Sequence, residues 1–80
     1  MARQTFALEI LSILLKDGCG QGEGLPIGVI HRQFGLTRSK DDFVAGLEYA
    51  EEQNWLVDGN STNMNFTDVG FAAAKSNLLI

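Results

Sequence analysis

The stretch LPIGVIHRQFGLTRSKDDFVAGLEYAEEQNW, Leu25 to Trp55, decides the fold. It opens with Pro26, whose ring suits a first helical turn where no N–H is needed. Ile27, Ile30 and Phe34 then recur at helical spacing, which predicts a short helix from Leu25 to Phe34. Gly35 closes it, and Gly35-Leu36-Thr37 predicts a tight turn with Leu36 turned inward. A longer helix is predicted from Ser39 to Asn54. Ser39 and Asp42 stand close to a capping box, with Asp in place of Glu or Gln. Asp41 and Asp42 suit the positive end of the helix dipole. Phe43, Leu47 and Ala50 give the buried stripe, with Val44 beside it. Gly46 costs about 1 kcal/mol relative to Ala inside a helix. Its presence points to a second backbone close by. Asn54 is a natural stop.

Working outward, Gln4–Lys16 reads as a helix with Phe6, Ile10, Ile13 and Leu14 on one face and Leu11 and Leu15 widening it. Asp17-Gly18 ends it, Gly18 serving as a left-handed stop. Cys19–Gly24 is Gly-rich and reads as a flexible connector. A phosphate-cradling loop would need Lys and Ser or Thr after its last Gly, and here Leu25-Pro26 follows. The spaced glycines of a dinucleotide site are absent too. Downstream, Trp55-Leu56-Val57 has strand composition, and Met64-Asn65-Phe66 alternates as a return strand. The polar run from Asp58 to Asn63 predicts a hairpin loop longer than the tight two-residue type. Thr67-Asp68 caps a last helix through Lys75, and the tail ends in Leu78-Leu79-Ile80. Trp55 is expected to anchor the hairpin or core, and Tyr49, off the buried stripe, to be exposed.

Eighty residues predict one domain, 1–80, with a single core. An apolar fraction of 45% argues against disorder. The lone Cys19 excludes an intrachain disulfide and suggests a reducing, cytoplasmic setting. One Cys and one His fall short of a closed zinc sphere, and no metal or cofactor is expected. Glu48, Glu51 and Glu52 read as a solvated helix face rather than as metal ligands. The start of the chain does not read as a secretion signal, since Glu9 and Ser12 interrupt its apolar run. No apolar run approaches the ~18 residues of a membrane span. No motif gives His31 a nucleophile or acidic partner, so an enzyme is not expected.

Helix, short helix, turn, long helix, hairpin and final helix form a familiar order. The segment Ile27–Phe34, the turn Gly35-Leu36-Thr37 and the helix from Ser39 resemble the helix-turn-helix of winged-helix regulators. Leu47, then Asn54-Trp55-Leu56, then Phe66-Thr67-Asp68-Val69-Gly70 is similar to the "L…GWL…(wing)…LT..G" pattern of small bacterial or phage winged-helix proteins. Asn54 stands where Gly is common and Phe66 where Leu is common. The resemblance implies an α+β winged helix: a three-helix core, a β-hairpin wing of two or three strands and a short C-terminal helix. It implies a DNA-binding transcription regulator, the long helix entering the major groove of double-stranded DNA. By position, Thr37, Arg38, Ser39 and Lys40 would meet the groove, with Asp41 beside them. His31 and Arg32 would hold phosphate, and Asn60 and Asn63 of the wing would add contacts. Such regulators commonly form homodimers through a terminal helix, which points to Phe71, Leu78, Leu79 and Ile80.

Charge pulls both ways. Arg32, Arg38 and Lys40, with His31 adjacent, cluster where phosphate contact would need them. Yet the net charge is −4 and the wing from Asp58 to Asn65 carries no Lys or Arg. The alternative expectation is a winged helix that binds protein through its acidic long helix or its apolar C-terminal tail.

Overall fold

The structure, a computed structural model, describes residues 2–35, 39–60 and 63–78. These form an α+β fold in the order α1 (Ala2–Lys16), β1 (Gly24–Pro26), α2 (Ile27–Phe34), α3 (Lys40–Glu52), β2 (Leu56–Asn60), β3 (Asn63–Phe66) and α4 (Asp68–Leu78). The strands make one antiparallel sheet in the order β1-β3-β2. This arrangement is compatible with a winged-helix-like fold. The long second helix of the pair, α3, leads directly into the hairpin.

Helix α1 is the centre of the core. Ala7, Ile10, Leu11 and Leu14 are fully buried, while Phe6 and Ile13 are only partly so. The buried stripe is therefore turned toward Ala7 and Leu11 relative to the one the large side chains suggest. The cause is that α1 packs against α2, α3 and α4 together. The tightest approach is to α3. A Cβ at Gly46 would stand 2.9 Å from both the carbonyl carbon and the Cβ of Phe6, and 3.0 Å from the Ile10 side chain. The glycine in the middle of α3 is thus the gap into which α1 fits.

The connector after α1 is more ordered than its glycines suggest. Gly18 takes φ +90° and the Cys19 N–H donates to the Leu14 carbonyl at 3.1 Å, as expected for a left-handed stop. Beyond it, however, the Gly22 N–H donates to the Phe66 carbonyl at 3.1 Å, and the Phe66 N–H donates to the Glu23 carbonyl at 2.9 Å. The chain then continues as β1, with Gly24 opposite Asn65, Leu25 opposite Met64 and Pro26 opposite Asn63. The expected flexible loop and helix start at Leu25 are corrected accordingly. A residue before proline is driven to extended backbone, which makes Leu25 a strand residue. Pro26 itself has ψ 141° and precedes the helix rather than opening it.

Helix α3 begins as expected. Ser39 is the N-cap, and its Oγ accepts from the Asp42 N–H at 3.2 Å. The helix ends at Glu52, and Asn54 makes the reversal with φ +65°. The hairpin that follows is longer in strand and shorter in loop than expected. Pairing runs on to Asn60 opposite Asn63, with an irregularity between Asp58 and Asn60. Gly59 absorbs this extra residue as a bulge would, so Asp58 to Asn60 belong to β2 and Asn63 to β3. Residues 61–62 lie outside the described residues.

A corner of hydrogen bonds joins the hairpin to α4. The Thr67 hydroxyl donates to the Asn54 carbonyl and accepts from the Gly70 N–H at 2.9 Å. The Thr67 N–H donates to the Trp55 carbonyl at 3.1 Å. A Cβ at Gly70 would fall 1.8 Å from that same carbonyl oxygen, so only glycine lets α4 dock there.

Helical Gly→Ala changes ordinarily stabilise by about 1 kcal/mol. Here the sign reverses. Gly46→Ala is expected to cost about 1–3 kcal/mol through overpacking, and Gly70→Ala at least as much. Urea unfolding of the two variants measures this. A raised midpoint for either would contradict the packing just described.

Candidate functional site

The basic positions singled out by sequence are only partly brought together. Arg32, in the last turn of α2, and Lys40, opening α3, are both exposed. Ser39 is exposed as well, but its hydroxyl is engaged in the helix cap. The imidazole of His31 is half-buried and lies on the Phe43 ring, with centroids 4.8 Å apart and planes 32° apart. It is a packing residue at the α2–α3 contact before it is anything else. Thr37 and Arg38, with Leu36, lie outside the described residues. In the hairpin, Asn60 closes β2 opposite Asn63, and Asn63 is half-buried between β1 and β2.

The outward side of α3 has a different character. Asp41, Val44, Glu48, Glu51 and Glu52 are all exposed and recur at helical spacing, opposite the buried Phe43, Gly46 and Ala50. Val44 is therefore not an adjunct of the core: it is 43% exposed. Glu52 is partly neutralised by Arg3, whose Nη2 lies 3.0 Å from Glu52 Oε2. That guanidinium also sits 5.7 Å above the Tyr49 ring, and Tyr49 meets Trp55 edge-on at 5.6 Å. Tyr49 is thus half-buried, correcting the expectation of an exposed ring: Trp55 and Arg3 enclose it from two other elements. Trp55 serves as the hairpin anchor expected of it.

The acidic side does not stop at the helix. The Glu51 carboxyl is raised above its ordinary pKa, first by burial, then by the charges of Asp58 and Glu48. Asp58 is on β2, next to Val57, which is exposed to the same 43% as Val44. Helix and strand together present Glu48, Glu51 and Asp58, with Val44 beside them on the helix; Val57, one position from Asp58, alternates to the other face of the sheet. The helix carboxylates were visible in the sequence. Their junction with Asp58 arises only when β2 folds back beside α3.

Other features offer less chemistry. A shallow cleft of about 140 Å³ between α1 and α2 is lined by Glu9, Ser12, Ile13, Gln33 and Phe34. The Ser12 hydroxyl donates to the Glu9 carbonyl at 2.9 Å and is not set up as a nucleophile. Cys19 is buried, and burial, Asp17 and Glu23 all push its thiol pKa up, away from the reactive thiolate. Among the described residues no group of three His, Cys, Asp or Glu side chains could hold a metal ion. None of the described helices is long and apolar enough to cross a membrane. At the C-terminal end, Phe71 turns inward and meets Phe66 edge-on at 5.7 Å, with Lys75 Nζ 5.2 Å from its ring centre. Leu78 ends α4, while Leu79 and Ile80 lie outside the described residues.

The raised Glu51 gives a pH prediction. Between the ordinary carboxylate pKa and the raised one, the folded chain binds more protons than the unfolded chain. Stability from this group therefore falls as pH rises through that window and returns below it. Glu51→Gln is expected to raise the melting temperature at neutral pH, with the gain shrinking to nothing as both forms are taken below the carboxylate range. A gain that persists in acid would mean the neighbouring charges are not its cause.

Comparison with protein-family models, curated proteins and solved structures finds no match to this chain.

Proposed function

We propose that the chain is a winged-helix-like interaction module that binds a cationic protein segment along the outward side of α3 and the adjoining part of β2. The observation that carries this reading is the sign of the charge on α3. Asp41, Glu48 and Glu51 face solvent along that helix, and Asp58 extends the same charge onto β2. From Asp41 to Glu52 the stripe runs roughly 16 Å, at about 1.5 Å per residue. A duplex presents about one negative charge per 1.7 Å of its axis. Laid lengthwise in a groove, α3 would set like charges against one another throughout. A Lys- or Arg-bearing segment meets the opposite situation, with Val44 supplying aliphatic surface to cover.

A second reading has its own observation. Arg32 and Lys40 are exposed at the junction of α2 and α3, and an end-on approach to DNA through that junction would leave the acidic stripe outside the groove. In that case Ser39 and Lys40 meet the duplex, with Thr37, Arg38, His31, Asn60 and Asn63 as the further candidates.

One titration separates them. Amide resonances are followed at low salt against a short alternating Lys-Val peptide and, separately, against a generic duplex. The first reading expects the peptide to shift residues 41–52 and 57–58, with the response lost in a Glu48→Gln, Glu51→Gln double variant. The duplex should leave the spectrum unchanged. Duplex-induced shifts centred on residues 31–32 and 39–41, abolished by Arg32→Glu with Lys40→Glu, would replace it with the second.

A further inference from the structure

The corner where α1, α3 and the start of the hairpin meet already holds a guanidinium, and it belongs to the chain itself. Arg3 reaches across from α1, its Nη2 3.0 Å from Glu52 Oε2 and its guanidinium carbon 5.7 Å from the centre of the Tyr49 ring. Trp55 meets Tyr49 edge-on from the residue before β2. One carboxylate and one aromatic face are thus offered to a single cation. A planar guanidinium suits both at once, since its face stacks on a ring while its edge donates to an oxygen. An ammonium is a compact point charge without that division of face and edge. Arg3 is held there loosely. Its side chain is 46% exposed and that of Glu52 59%, and an ion pair so open to water contributes little. Its own helix opposes it as well. Arg3 lies in the first turn of α1, which carries no acidic residue, at the end of the dipole where a cation is disfavoured. The packing of α1 on α3 rests on Phe6, Ile10 and Gly46, so Arg3 can swing into solvent without disturbing it.

We propose that Tyr49, Glu52 and Trp55 form a binding site for an arginine side chain of another molecule, and that Arg3 is its built-in competitor. The seated guanidinium shows the chemistry that the corner accepts. The two arginines exclude one another, so the corner is closed until Arg3 yields. An occupant held this weakly, yet present in most copies, lowers the apparent affinity of an outside arginine by about fivefold. Glu52 stands four positions after Glu48 on the same side of α3, which puts the corner at the end of the acidic stripe. A cationic segment laid along that stripe would seat an arginine here. This last step rests on the proposed function, whereas the site and its competitor do not.

The probe is N-acetyl-arginine amide, with N-acetyl-lysine amide as its match in charge and ionic strength. Each is titrated at low salt into the unaltered chain and into Arg3→Ala, and the Tyr49 ring and Trp55 indole resonances are followed. In Arg3→Ala the arginine probe is expected to shift both rings saturably, with an affinity about fivefold above that for the unaltered chain. The lysine probe should bind Arg3→Ala more weakly than the arginine probe does. Lys16→Gln removes the same charge thirteen positions away, about 20 Å along α1, and should behave like the unaltered chain. That control separates the loss of a competitor from a gain in net negative charge. Adding Glu52→Gln to Arg3→Ala should abolish the response. Circular dichroism checks that each variant is folded, and Arg3→Gln replaces Arg3→Ala if the latter is not. The proposal is overturned if loss of Arg3 brings no gain, if Lys16→Gln gains equally, if the lysine probe binds as well, or if Glu52→Gln changes nothing. An alternating Arg-Val peptide then tests the link to the stripe. Shifts at residues 49, 52 and 55 without shifts along 41–48 would keep the corner and remove the proposed function. Shifts along 41–48 with no response to the arginine probe would do the reverse.

Discussion

The absence of a side chain at Gly46 governs the placement of the helices. With the Phe6 backbone only 2.9 Å from where a Cβ would stand, α1 lies closer to α3 than any side chain at position 46 would allow. That closeness gives Ala7, Ile10, Leu11 and Leu14 their complete burial and brings α1 within reach of α2 and α4 as well. A chain of this size has little surplus surface to bury, so one tight contact has a large share in the whole. A second close approach, Gly70 on the Trp55 carbonyl, then fixes α4 against the corner between α3 and the hairpin.

With that frame set, the two ends of α3 become chemically unlike. Its first turn stands near the basic end of α2, and its later turns carry carboxylates that Asp58 joins from the sheet. The ion pair of Arg3 with Glu52 lies at the far end and engages one of the chain's few cations. Next to α3, exposed positive charge stands at the α2–α3 junction, on Arg32 and Lys40. The longer surface of the helix is acidic.

Much of this was legible in the residues because it is local. The Ser39 cap, the Asn54 reversal, the Gly18 stop, the Thr67 cap and the meaning of Gly46 all follow from a few neighbouring side chains and known backbone preferences. What was not legible depends on distant partners. β1 is three residues long and has no alternation to announce it; it is a strand because β3 lies beside it, about forty positions later. Tyr49 looked exposed because nothing in α3 covers it, whereas Trp55 and Arg3 do. Phe71 looked available until Phe66 met it. In the same way the acidic residues of α3 were evident, but their continuation through Asp58 onto β2 was not.

The pairing of the connector and β1 with β3 bears on how the chain reaches this structure. Gly22 and Glu23 bond to Phe66, and Gly24 lies opposite Asn65, so this edge of the sheet encloses both α2 and α3 within one closed loop of chain. The hairpin between β2 and β3 closes over only a few residues, but the third strand cannot join until the intervening helices are compact enough to bring its ends together. The entropy of closing so long a loop places that event late in folding. It also makes the same edge the natural first point of opening, where unzipping three short rungs would free the connector without disturbing the packing of α1 on α3.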